Sequence, residues 1–123
     1  MTLDKLTFLS SPFLRTIQTS NDIIDGLVNT SSITEGISLN EVKILPEYSV
    51  FEWDGKGGEW HASLPPIEER PHYFPRVDAS HESLFVPTIP EPRDKFHDRC
   101  TKAAEALSTS YDYVPNTAIV VVS

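Results

Sequence analysis

Ser10-Ser11-Pro12-Phe13-Leu14-Arg15-Thr16 brings hydroxyls, a helix-starting proline and an arginine together within one short segment. Such a segment can hold an anion. Amides at a helix N-terminus have no intrahelical acceptor and lie at the positive end of the helix dipole, and a guanidinium adds both charge and a two-pronged donor. Arg15 and Ser11 are therefore the candidate phosphate-binding residues, with an ordinary solvated arginine on a helix surface as the alternative reading of Arg15. His61, His72 and His81 lie in a proline-rich stretch and His97 in a helical one. Their spacing resembles no zinc motif, so they read as surface or capping residues and no metal site is expected. Cys100 is the single cysteine, which rules out an intrachain disulfide and a Cys-based zinc site and reads as a partly buried helical thiol. No cofactor is implied.

The elements that must position these groups follow from pattern. Leu6-Thr7-Phe8-Leu9 is a short buried strand, and Ser11 with Pro12 gives an N-cap and first helical residue for a helix to about Gly26 or Val28. Phe13, Ile17, Ile24 and Val28 supply its apolar stripe. Residues 29–40 read as a loop, and Val42-Lys43-Ile44-Leu45 as a second strand ended by Pro46. An excursion at about 54–92 follows, with seven of the ten prolines falling between Pro65 and Pro92, too many for long regular elements. Excursions of this kind usually cover a site. A second helix starts near Pro92 and runs to about Ser108 with Phe96, Cys100, Ala103, Ala104 and Leu107 on one face. Thr117-Ala118-Ile119-Val120-Val121-Val122-Ser123 is apolar on both faces, as a central parallel strand would be. The order of strands and helices predicts an α/β fold, a mostly parallel sheet with flanking helices, whose ligands bind beyond the carboxyl ends of the strands.

Ser10-Ser11-Pro12-Phe13-Leu14-Arg15-Thr16-Ile17-Gln18-Thr19 resembles the S-S-P-x-x-R-x-x-Q-T segment of the histidine phosphatase (phosphoglycerate-mutase-like) superfamily. Leu45-Pro46-Glu47-Tyr48-Ser49-Val50-Phe51-Glu52-Trp53 is similar to a segment of one branch. That branch holds the ubiquitin-associated and SH3-containing tyrosine phosphatases, the ecdysteroid-phosphate phosphatases and a fungal transcription-factor subunit. Phe96-His97-Asp98-Arg99-Cys100 resembles the helix ahead of the last core strand, and Thr117 to Ser123 the strand that leads into His-Gly or His-Ala. The resemblance implies a three-layer histidine phosphatase fold and hydrolysis of phosphomonoesters through a phosphohistidine. By position Arg15 matches a pocket arginine, and Glu52 the general acid or its neighbour. Phe51 and Trp53 beside Glu52 would raise a carboxyl pKa toward a useful value; a solvated loop carboxylate is the other reading.

The departures are as informative. No Arg-His-Gly nucleophile segment occurs in the 123 residues, and no histidine follows the last strand. The expectation is a partial, truncated-looking domain over 1–123, an incomplete histidine phosphatase fold that is inactive alone. The resemblance also puts the missing strand at the sheet centre, which would leave Leu6, Ile119 and Val120 uncovered. Two functional classes remain: a piece of a phosphatase, or a non-catalytic phosphate-binding or protein-interaction module. Partners expected are a phosphomonoester or phosphate at a residual pocket, and a homodimer or partner chain completing the sheet. A formal charge of −8 and a pI near 4.8 argue against direct nucleic-acid or membrane-surface binding. The longest aliphatic run, Ala118 to Val122, is far short of the roughly 20 residues that span a bilayer. With an acid at position 4 and no apolar h-region, the reading is an intracellular, cytoplasmic chain.

Overall fold

Leu6, Phe8 and their β-branched neighbour Thr7 favour an extended backbone, and β1 (Lys5–Ser10) is the middle of a three-stranded parallel sheet ordered β2-β1-β3. The computed structural model describes residues 3–30, 36–38, 41–50, 67–88, 90–111 and 115–123, with backbone alone at 28–30 and 111. β2 (Ile44–Pro46) pairs with the second half of β1, Phe8 opposite Ile44, and β3 (Thr117–Val122) pairs along its whole length, Lys5 opposite Thr117 to Ser10 opposite Val122. Parallel neighbours require crossovers, which contain α1 (Leu14–Thr30) on one side and α3 (Arg93–Tyr111) on the other. The architecture is mixed α/β with a small parallel sheet.

One face of the sheet is closed by α1. Ile17 and Ile24, seven residues apart on its stripe, are fully buried against Leu6, Phe8, Val42, Ile44 and Val77, with Ala118 and Val120 of β3 packed at the margin. Ser20 interrupts the apolar stripe without penalty because its hydroxyl donates to the Thr16 carbonyl at 2.9 Å. Val121 and Ser123, on the opposite face of β3, line a groove with α3.

The helix begins at Leu14 rather than Pro12 and extends to Thr30, beyond the expected end. Ser11 is not its N-cap. The Ser11 amide still donates to Val122 at 2.8 Å, so the β-ladder continues one residue past the strand and the helical turn starts later. β3 is not a central strand among the described residues; it lies at the sheet edge, and Val121 is 44% exposed. Leu6, expected to be uncovered, is buried by α1, because β1 itself takes the central place. The proline-rich stretch is also more ordered than its composition suggests. It holds a 3-10 turn (Ile67–Glu69) and α2 (Arg70–Tyr73), where Pro71 occupies the first turn and its missing N–H costs nothing. Val77 then bridges Ile44 as a one-residue fourth strand, with Ile44 donating to Arg76 and accepting from Asp78.

Ile24→Ala removes a side chain with no exposure and no polar contact, so it should cost about 2–5 kcal/mol, read as a lower urea midpoint at unchanged slope.

Candidate functional site at the carboxyl edge of the sheet

Because the three strands are parallel, Ser10, Pro46 and Val122 end at one rim, where the chain turns away and leaves polar groups behind. Ser11 is fully buried there. Its carbonyl accepts from the hydroxyls of Thr16 at 2.7 Å and Ser10 at 2.8 Å, yet its own Oγ has no hydrogen-bond partner. A buried hydroxyl without a partner costs free energy and is uncommon in native proteins. Arg15 stands one turn along, exposed, with its guanidinium 4.6 Å from the centre of the Phe13 ring. Both phosphate-binding candidates therefore sit at the β1–α1 junction, Ser11 fully buried and Arg15 exposed. Glu52, the candidate acid, lies outside the described residues, as do Phe51, Trp53 and His61.

Sequence reasoning missed four buried charged groups near this rim. Glu47, directly after β2, is 1% exposed, and its carboxylate accepts from the amides of Ser49 and Leu84 at 3.1 Å and faces His81 Nε2 at 3.2 Å. The Tyr48 amide donates to Ser83 Oγ at 2.8 Å, so residues 81–84 are strapped to the end of β2. Arg70, 2% exposed on α2, donates through Nε and a terminal nitrogen to the Pro12 carbonyl at 3.1 and 2.8 Å. Burial pulls its pKa down, opposed by the nearby Tyr48 and Glu69. Arg99 on α3 forms a two-pronged pair with Glu91 at 2.7 and 2.8 Å and donates to the Ser49 carbonyl at 2.9 Å. An acid placed directly after a strand could have flagged Glu47. No local pattern could have flagged Arg70, whose partner is a backbone carbonyl 58 positions away.

His72 and His97 are exposed on helices, His81 is the partner of Glu47, and Cys100 is exposed rather than partly buried because α3 turns that face to an open groove. Among the described residues no group of His, Cys, Asp and Glu is placed to hold a metal ion, and no described helix is long and apolar enough to cross a membrane. A hollow of about 360 Å³ opens beside the first turn of α1, walled by Leu14, Gln18, Glu69, Arg70, Tyr73 and Phe74. Neither any protein-family model nor any curated protein matches the chain.

Arg99→Met takes the two-pronged guanidinium partner from the buried Glu91 carboxylate, and should cost about 3–5 kcal/mol in chemical denaturation. Replacing Glu91 and Arg99 together by Leu and Met should recover most of that loss, since the stranded charge is removed with its partner.

Proposed function

We propose that the chain is a histidine-phosphatase-like α/β unit that binds phosphate or a phosphomonoester at the β1–α1 junction and does not hydrolyse it through a phosphohistidine. The observation that carries this reading is the buried Ser11 hydroxyl without a partner, three residues ahead of a 17-residue helix and just beyond the carboxyl end of a parallel strand. Helix amides and an inward hydroxyl are neutral donors suited to phosphoryl oxygens, and Arg15 adds charge from the rim. The hollow lined by Leu14, Tyr73 and Phe74 adjoins the same helical turn and offers apolar walls to the alcohol part of a phosphomonoester. The resemblance of Ser10 to Thr19 to the superfamily's pocket segment points the same way, and on that reading Glu52 is a possible general acid left over from hydrolysis.

The reading of binding without phosphohistidine chemistry rests on the residues described at the junction. Attack on phosphorus needs a nucleophile in line with the leaving oxygen, and residues 3–30 contain no histidine. Ser11 and Arg15 can bind and orient a phosphoryl group but cannot supply the phosphohistidine route. A non-catalytic module of this kind would recognise a phosphorylated small molecule or side chain.

Differential scanning fluorimetry with inorganic phosphate tests the reading. At ten times Kd the ligand should stabilise by about 1.4 kcal/mol, a rise of several degrees in Tm for a chain of this size. Arg15→Ala and Ser11→Ala should abolish the rise, and p-nitrophenyl phosphate should not be turned over. No rise with phosphate, or turnover above background, would sink the proposal.

A further inference from the structure

Between Ser10 and Leu14 the chain leaves the sheet and enters α1, and each carbonyl from Ser10 to Phe13 accepts a hydrogen bond. Ser10 accepts from the Glu47 amide at 2.7 Å, Ser11 from the hydroxyls of Ser10 and Thr16, and Phe13 from the Ile17 amide at 3.1 Å. All of these donors are neutral. The Pro12 carbonyl is held differently, by two N–H groups of the Arg70 guanidinium at 3.1 and 2.8 Å, from a residue 58 positions away. A charged donor holds its acceptor about twice as strongly as a neutral one, and two prongs on one oxygen also fix the direction of that oxygen.

Direction matters here because a peptide unit is planar and trans. Turning the Pro12 carbonyl toward Arg70 turns the Phe13 amide, across the same plane, to the opposite side. The Ser11–Pro12 unit before it has no N–H to offer, and the Ser11 amide donates to Val122 at 2.8 Å. The Phe13 amide is thus the first one beyond the β-ladder, and the unit that carries it is the one Arg70 holds. We infer, on the phosphate-binding reading of this junction, that Arg70 is a positioning residue. It acts on a phosphoryl group through the Pro12 carbonyl, by keeping the Phe13 amide turned toward the anion.

The base on which Arg70 stands is fixed independently of that contact. Its own carbonyl accepts from the Phe74 amide at 2.8 Å, which closes α2, and the Phe74 carbonyl accepts from Val77 at 3.0 Å. Arg76 then donates to Asn21 Oδ1 and Asp25 Oδ1 of α1, both at 2.8 Å, while its carbonyl accepts from the Ile44 amide at 2.7 Å. The segment from Arg70 to Val77 is therefore tied to α1 and to β2 as well as to the turn. A guanidinium buried on such a base holds the turn in place before any ligand arrives, so a phosphate does not have to order it.

Titration of the full chain with inorganic phosphate, read by calorimetry and by the amide resonances of Phe13 and Leu14, tests this role. Phosphate should move both resonances in the unaltered chain. Arg70→Lys, which gives the Pro12 carbonyl one donor in place of two, should raise the phosphate Kd roughly tenfold with an unchanged circular-dichroism spectrum, and Arg70→Met should raise it further. The phosphate-induced shift of the Phe13 amide should shrink in both. Arg76→Met is the comparison: it loosens the same segment from α1 without touching Pro12, so Kd should stay unchanged even where Tm falls. If Arg70→Met does not fold, Arg70→Lys decides alone. A chain that binds phosphate equally well with Lys or Met at position 70 overturns the positioning role and leaves the phosphate site standing. Equal weakening by Arg70→Lys and Arg76→Met overturns it too, since Arg70 would then only anchor its own segment, as does loss of the fold in both Arg70 variants. An unaltered chain that binds no phosphate removes the site itself, and the role of Arg70 with it.

Discussion

Parallel pairing on both sides of β1 is the constraint from which the rest of the structure follows. β1 is hydrogen-bonded to β3 along its whole length and to β2 over Phe8 to Ser10, and five of its six residues are buried. Its parallel neighbours can be reached only by long crossovers, so α1 and α3 arise between the strands and the three carboxyl ends come to a single rim. The position of β1 also decides what is left over. Among the described residues the Arg76 to Asp78 segment lies against β2, and the outer side of β3 has no strand beside it.

At the rim, order is kept by charge in place of apolar packing. Glu47, Arg70 and the Glu91–Arg99 pair are almost fully buried, and each holds a backbone segment that has no strand or long helix of its own. Desolvating an ion costs several kcal/mol, so such groups persist only where every one finds good geometry. Here they do: Glu47 gathers amides from two segments, Arg70 grips the turn at Pro12, and Arg99 ties α3 to the turn at Tyr48–Val50. Hydrophobic contacts are tolerant of direction, whereas these are not. A network of directional contacts places the β1–α1 turn and the end of β2 in one arrangement, which a binding site at that rim requires.

Periodicity made α1 and the strands legible. Phe13, Ile17 and Ile24 mark a stripe that is buried as expected, and the helical face from Phe96 to Leu107 marks α3. Composition could not say which strand is central, because β3 has the both-faces-apolar run of an interior strand while β1, with Lys5 and Thr7, has the interior place. The difference is one of topology: apolar residues state how much surface must be covered, not by what. The serine-proline start was legible as a helix N-terminus, but Ser11 stays in the ladder with Val122, a contact set by a strand more than a hundred residues away. Arg70, Glu47 and Arg99 escaped for the same reason, since their partners are backbone groups and side chains that only the fold brings near.

Charge also bears on what kind of anion the rim suits. A chain of −8 repels a polyanion at long range, beyond any local cradle, and a nucleic acid would need many neutralised phosphates to overcome that repulsion. A single phosphoryl group is different. It is smaller than the Debye length of roughly 8 Å at physiological salt, so the distant carboxylates are screened while donors in direct contact are not. On the proposed reading, short-range donors at the β1–α1 junction act on it directly, while the acidic surface acts only at a distance. On the proposed reading the acidity of the chain and the donor-rich rim are complementary, the first excluding polyanions and the second admitting an isolated phosphate.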